Sequence, residues 1–271
     1  MLGSGLFAPP QRGCASAHIA SAFAVADHSL HLALKVSPDM AARAFFVTGT
    51  DTEVGKTYAT CALLHALGAK GRRVVAMKPV ASGCTVNAAG ELDNEDVLAH
   101  AAAGNISAPR ALVNPYAFLP PISPHLAARD AGVVIDFHHL RQSLDALRGM
   151  ADVVFVEGAG GWLAPVDDDR TMADMAAALG LPVILVVGMR LGCLNHALLT
   201  VEAVLASGAR LAGWVANQID PGMQRAAENL DYLKQHIAAP LLGFIPHGGA
   251  AEKDQSNQVQ ILEPRLETLT Q

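Results

Sequence analysis

Gly49-Thr50-Asp51-Thr52-Glu53-Val54-Gly55-Lys56-Thr57 decides how the rest of the chain is read. It follows the apolar run Ala44-Phe45-Phe46-Val47-Thr48, which predicts a strand, and it opens Lys56–Ala69, whose pattern predicts a helix. A strand, a glycine-bearing turn and Gly-Lys-Thr at a helix start form the context of a phosphate-binding loop. Gly55 lets the backbone approach phosphates closely, and the amides at the helix start point inward at negative charge. Glu53, Val54, Gly55, Lys56, Thr57 and Tyr58 are therefore candidates for nucleotide contact. Lys56 supplies a cation for the β- and γ-phosphates, and the Thr57 hydroxyl is placed to ligate magnesium. Five residues separate the two glycines where four are usual, and Thr50 stands where the first glycine normally does.

Outward from this loop, short apolar runs alternate with amphipathic segments. Strands are predicted at Ala44–Thr48, Arg73–Lys78, Asp152–Glu157, Pro182–Gly188, Arg210–Asn217 and Pro240–Ile245. Each is apolar at consecutive positions, which implies burial on both faces, as parallel sheets require. Helices are predicted at Lys56–Ala69, Asn94–Ala103, Asp136–Met150, Met172–Leu179, Cys193–Ala206 and Met223–His236. Gly71, Gly180 and Gly208 fall where helix C-terminal caps belong. The alternation predicts a single-domain α/β fold, a doubly wound and mainly parallel sheet with helices on both faces. The stretch from Pro79 to Arg129, rich in Pro, Gly, Ser and Asn, breaks the rhythm. Loops beyond the carboxyl ends of such strands build the site.

Composition narrows the function classes. Of 271 residues, 51% are apolar and 16% charged, ample for a buried core. Nineteen basic against 25 acidic residues give a net charge of −6, with the basic residues scattered. Nothing prepares a surface for nucleic acid or anionic lipid. The longest strongly apolar run, Leu181 to Met189, is too short to span a membrane. The four cysteines lack metal or disulfide spacing, so Cys61 reads as a reduced core residue and a cytoplasmic location is expected. Residues 1–39 carry Pro9-Pro10 and three histidines but no strand–helix rhythm. They are read as a disordered extension or a misplaced start, with translation beginning at Met40 and the domain running over 40–271.

Two carboxylates are candidates for the metal side of the nucleotide. Glu157 terminates a predicted strand and is followed by Gly158-Ala159-Gly160-Gly161, read as a flexible turn able to wrap close to a ligand. Asp96 lies among acids near a helix start, where, taken alone, complementing the helix dipole is the better explanation.

Seven blocks in order resemble the dethiobiotin synthetase family. They are GTDTEVGKT, Lys78-Pro79-Val80-Ala81-Ser82-Gly83, Val113-Asn114-Pro115-Tyr116, Ser123-Pro124-His125, Val156 to Trp162, Leu191 to Ala197, and Gly213-Trp214-Val215-Ala216-Asn217. The five-residue spacing in the loop is the family's own form. The resemblance implies a cyclo-ligase that joins 7,8-diaminopelargonate and CO2 at the expense of ATP, through a carbamate and a carbamic–phosphoric anhydride. It assigns catalytic roles to Lys78, Lys56 and Thr52 and metal contacts, for Mg2+, to Thr57, Asp96 and Glu157. It places Gly158, Ala159, Gly160, Asn217, Gln218, Pro246, His247 and Gly248 around the nucleotide, with Asn217 suited to the adenine edge. Substrate contacts fall on Ser82, Thr52, Gly192, Cys193, Leu194 and Asn195, the last four across a homodimer interface. His125 and His196 are read as packing or positioning residues, and Cys84 and Cys193 as non-catalytic.

Two competing classes share the scaffold. A cobyrinate amide synthetase would need a glutamine-hydrolysing domain, and 25 residues follow Pro246. A partitioning or site-selecting switch ATPase, of the ParA and MinD kind, typically carries an additional lysine near the loop start. None stands between Thr50 and Val54, and the tail from Leu262 to Gln271 lacks a basic amphipathic face.

Overall fold

The structure, a computed structural model, describes residues 42–248, 260–261 and 266–270. The reading of residues 1–39 and of a start at Met40 lies outside them, as does half of the tail from Leu262. Three strands and two helices frame the site: β1 (Arg43–Gly49), α1 (Lys56–Ala69), β2 (Val74–Met77), α2 (Glu95–Ala103) and β7 (Val153–Gly161). Between them run the short strands β3 (Val80–Ala81), β4 (Thr85–Val86), β5 (Leu92–Asp93) and β6 (Tyr116–Ala117). The helices α3 (Arg110–Val113), α4 (Pro124–Asp130) and α5 (Phe137–Arg148) complete that stretch. The chain continues through α6 (Met172–Leu179), β8 (Val183–Met189), α7 (Cys193–Ala206), β9 (Leu211–Gln218), α8 (Ala226–His236), β10 (Leu241–Ile245) and β11 (Gln260–Ile261).

The main sheet runs β11-β10-β9-β8-β1-β7-β2. All its pairings are parallel except the edge pair β10–β11. Burial on both faces is borne out strand by strand. In β1, Phe45 and Val47 pack with α1 residues Leu63, Leu64 and Leu67. Ala44 and Phe46 turn to the opposite face, against α5 and α6 residues such as Leu140, Leu144 and Met172. β7 divides likewise, Val153 and Phe155 one way and Val154 and Val156 the other. The α5 set Leu140, Ser143, Leu144 and Leu147 recurs at helical spacing, so one stripe of that helix is buried.

The predicted elements all form, with ends displaced by up to four residues. β2 spans Val74–Met77, so Lys78 stands just beyond it. α8 begins at Ala226, because Pro221-Gly222 first makes a turn held by the Asp220 carboxylate. One expectation is corrected. Residues 158–161 form the last four positions of the nine-residue β7 rather than a loose turn, and Glu157 lies in mid-strand. Gly161 pairs with Gly49 of β1 across a register irregularity, and Gly160 has φ +67°. A bulge with a left-handed residue explains the glycine there.

β1 is the switch point of the sheet: its first connection leads through α1 to the β2 side, and β8 lies on its other flank. The crevice outside the carboxyl ends of β1, β2 and β7 is where such folds bind ligands.

Candidate active site

The phosphate loop enters α1 through Gly55, which caps the helix at φ +80° and ψ +38° with no side-chain cap. Its shape is fixed from below by Val54, which is 1% exposed. A Cβ added at Gly49 would stand 2.6 Å from Val54 Cγ2, and one at Gly188 would stand 2.8 Å from Cγ1. The Asn217 Nδ2 donates to the Val54 carbonyl at 2.9 Å, leaving no room for a side chain at Gly55. Asn217 thus reaches the loop from β9. Ile245 pairs with Asn217 in the sheet, which brings Pro246, His247 and Gly248 to the same edge. Gln218 ends β9, and its Nε2 lies 3.5 Å from the Asp220 carbonyl.

Lys56, Thr57 and Thr60 share the face of α1 turned to β7, as spacings of three and four residues dictate. Asp96 and His100 share a face of α2 in the same way. Asn94 caps α2, its Oδ1 accepting from the Asp96 and Val97 amides. Its Nδ2 donates to the Ser82 carbonyl at 3.3 Å, so one side chain ties the Ser82 loop to Asp96.

These elements converge on Glu157, which is wholly buried. The Thr57 hydroxyl lies 2.6 Å from Asp96 Oδ1 and 2.9 Å from Glu157 Oε1. Lys78 Nζ donates to Glu157 Oε1 at 2.7 Å and to the Gly158 carbonyl at 3.4 Å, and pairs with Asp96 Oδ2 at 2.8 Å. Three protons meet three acceptors. The Lys78 backbone is held in turn: its N–H donates to the Val113 carbonyl, and its own carbonyl accepts from Asn114 Nδ2 at 2.7 Å.

The electrostatics follow from burial and pairing. Burial alone would lower the pKa of Lys78, but the Glu157 and Asp96 carboxylates outweigh it and hold the group above its ordinary value. Burial would raise Glu157, yet Lys78 and the His100 hydrogen bond keep it well below the usual carboxylate range. Asp96 is likewise lowered, Lys78 again overcoming desolvation. Lys56, whose Nζ donates to the Asp51 carbonyl at 3.1 Å, is brought down to about 8 by burial and by the Lys78 charge. Arg190 Nη2 meets Asp51 Oδ2 at 2.6 Å, neutralising the carboxylate within the loop.

Other expected residues lie around this cluster. Thr52 and Glu53 are exposed on the loop, and Glu53 adopts φ +58°. A Cβ at Gly160 would come within 3.6 Å of Thr52 Oγ1, which sets the loop beside the bulge of β7 that also includes Ala159. Tyr58 is half-buried on α1. Gly192, at φ +95°, starts α7 without a side-chain cap, followed by exposed Asn195 and half-buried Leu194. Cys193 points into the core with Leu185 and Trp214. His196 is exposed, whereas His125 is half-buried with Nδ1 enclosed. Cys61, Cys84 and Cys193 are free thiols. No helix among the described residues is long and apolar enough to cross a membrane.

Residues 43–254 match the AAA domain family. The chain is 53% identical over 213 residues to the ATP-dependent dethiobiotin synthetase BioD of Aromatoleum aromaticum, spanning 79% of this chain and 94% of that one. The corresponding protein of Nitrosospira multiformis is 51% identical over 228 residues, spanning 83% and 95%. The chain belongs to the dethiobiotin synthetase family. Among solved structures, the MinD cell division protein of Aquifex aeolicus is 17% identical, with a TM-score of 0.45, over 76% of this chain and 82% of that one. At that distance nothing about activity passes between the two.

For this dethiobiotin synthetase family member, sequence reasoning overlooked Thr60, His100, Asn114 and Arg190 as parts of the site. Thr60 and His100 follow Thr57 and Asp96 at helical spacings of three and four, a legible signal of a shared face. Asn114 lay within a recognised block whose purpose becomes plain only when it holds the Lys78 carbonyl.

Proposed function

We propose that this chain catalyses the ATP-dependent closure of 7,8-diaminopelargonate with CO2 to dethiobiotin, releasing ADP and phosphate. The observation that carries the reading is the meeting of Lys56, Lys78, Thr57, Asp96 and Glu157 at one sheet edge in a chain of this family. CO2 taken up by one amine gives an anionic carbamate, which must approach a more anionic triphosphate. Cations that are already fixed offset that repulsion without reorganising during the reaction. Lys56 is assigned to the β- and γ-phosphates, Lys78 to the transferring group and Thr52 to the carbamate. The carbamate oxygen attacks the γ-phosphorus and ADP leaves. The second amine then attacks the carbamoyl carbon, closing the ring and expelling phosphate.

Magnesium fits the donors present. Thr57 Oγ1, Asp96 Oδ1 and Glu157 Oε1 are hard oxygen ligands with separations of 2.6 and 2.9 Å along two edges. Adjacent ligands in an octahedron with bonds of about 2.0–2.1 Å stand about 2.9 Å apart. Asp96 and Glu157 both pair with Lys78, so the two lysines offset only part of a triphosphate's charge. When bound, the ion would neutralise phosphate oxygens and hold the chain of β- and γ-groups in line.

Ser82, Gly192, Cys193, Leu194 and Asn195 are assigned to the diamine substrate. The uncapped α7 start offers amides to its carboxylate, and the buried Cys193 contributes through its backbone. We place that contact across a homodimer, with Asn217, Gln218 and residues 246–248 around the adenine. The catalytic unit is assigned to residues 40–271, and the free thiols fit a cytoplasmic setting.

The test is ADP release with and without 7,8-diaminopelargonate, in bicarbonate and magnesium. Release that depends on the diamine, with a product of dethiobiotin mass, supports the reading. ATP turnover indifferent to the diamine refutes the substrate assignment and points to a switch ATPase.

A further inference from the structure

Glu157 is wholly buried, and four groups among the described residues reach its carboxylate. They are not equal donors. The Thr57 hydroxyl has one proton and two acceptors, Asp96 Oδ1 and Glu157 Oε1. The Thr60 hydroxyl is divided in the same way, 2.9 Å from the Lys56 carbonyl and 3.0 Å from Glu157 Oε2. A hydroxyl donates once, so neither threonine serves Glu157 full time. Two undivided contacts remain. Lys78 holds Oε1 at 2.7 Å, and His100 Nε2 holds Oε2 at 2.8 Å. A carboxylate only accepts, so the ring proton in that contact sits on Nε2.

His100 is itself anchored. It is 4% exposed, stands one helical turn beyond Asp96 on α2, and lines a cavity of about 350 Å³ with Val75, Ala76, Val97 and Ala101. Its Nδ1 is buried with no hydrogen-bond partner among the described residues. Among those residues the ring has one hydrogen bond, and that bond goes to Glu157. With Lys78 on one oxygen and His100 on the other, the plane of the carboxylate is set at both ends. Oε1 then faces Thr57 and Asp96 rather than rotating away.

We propose that His100 is a positioning residue for the nucleotide site, acting through Glu157 and touching neither substrate nor phosphate. The inference rests on the reading that Glu157 stands on the metal side of the nucleotide. Partners that orient a metal-side carboxylate typically govern affinity or activity by about 10- to 100-fold. The donor on Oε2, rather than the bulk of the ring, is what the site requires.

Three full-length variants separate these possibilities. His100→Leu removes the donor, His100→Gln carries an amide N–H close to the place of Nε2, and His100→Asn carries the same amide one carbon short. Calorimetric titration of ADP at low and at saturating magnesium is one readout; kcat and KM for ATP and the diamine are the other. The expected result is a magnesium-dependent ADP affinity weakened about 10- to 100-fold in the Leu and Asn variants. Their kcat falls, KM for the diamine stays within about threefold, and the Gln variant recovers to within about threefold of the native protein on both readouts. If the Leu variant does not fold, the comparison of Gln with Asn decides. Leu or Asn variants indistinguishable from the native protein, or a Gln variant as impaired as Asn, overturn the proposal. The native protein's diamine-dependent turnover tests the assigned reaction independently, because the ADP titration needs no diamine.

Discussion

Replacing Lys78 by Gln keeps a hydrogen-bond donor and removes the charge, which isolates what the ammonium does. In the native protein Nζ lies 2.7 Å from Glu157 and 2.8 Å from Asp96, at a residue only 5% exposed. Breaking a buried ion pair by removing one partner costs about 3–5 kcal/mol. The amide returns one or two hydrogen bonds of about 1 kcal/mol each. The expected loss of stability is therefore about 1–4 kcal/mol near pH 7. Removing one preorganised donor from a developing anion lowers turnover by about 10²–10³, equivalent to about 3–4 kcal/mol in the barrier. The pH dependence gives a second signature. In the native protein the pKa of Glu157 is depressed, so its contribution is present above the ordinary value near 4.5 and lost as pH falls through the lowered one. Without Lys78, burial dominates and raises Glu157 above its unfolded value. The variant then gains stability relative to the native protein as pH drops from 7 towards 5. Urea denaturation at both pH values, with ADP release in parallel, measures all three quantities. Turnover within about threefold of native, or a stability gap that widens on acidification, would refute the reasoning.

Lys56 is held at about 8 against an ordinary 10.5, mainly by burial, which costs the ligand-free fold about 3 kcal/mol at neutral pH. Lys56→Met should stabilise that state by about 1–3 kcal/mol while abolishing ATP turnover, the gain vanishing as pH rises from about 8 to 10.5; pH-dependent chemical denaturation checks it. Gly55→Ala would set a Cβ 2.1 Å from Asn217 Nδ2 at φ +80°, so ADP affinity should fall by more than about tenfold in calorimetry. Gly158→Ala would press a Cβ to 2.8 Å from Phe46 Cζ, and overpacking of about 1–3 kcal/mol should lower Tm in a thermal scan.

The fold was legible where burial on both faces and helical spacing act locally. β1, α1, β8 and α7 could be read from their own residues because each carries its full apolar pattern. The continuation of β7 through residues 158–161 could not, since glycine has no side chain to advertise a strand and the pairing of Gly161 with Gly49 decides it. Across residues 79–129 the strands are two residues long, held by contacts such as Val80 with Tyr116 that no local period announces. In the site, Lys56 and Thr57 could be named from their block, and Asp96 through the family resemblance. The roles of Thr60 and His100 could not, because their shared partner Glu157 lies 97 and 57 residues away in sequence.

Val54, wedged beneath the phosphate loop between Gly49 and Gly188, determines when the loop acquires its shape. A loop pegged into the core is ordered as the chain folds, so the entropy of arranging its amides is not subtracted from nucleotide affinity. The loop is thus a cradle set by the core, whereas the Thr57, Asp96, Lys78 and Glu157 cluster beside it is held by side-chain contacts between separate elements.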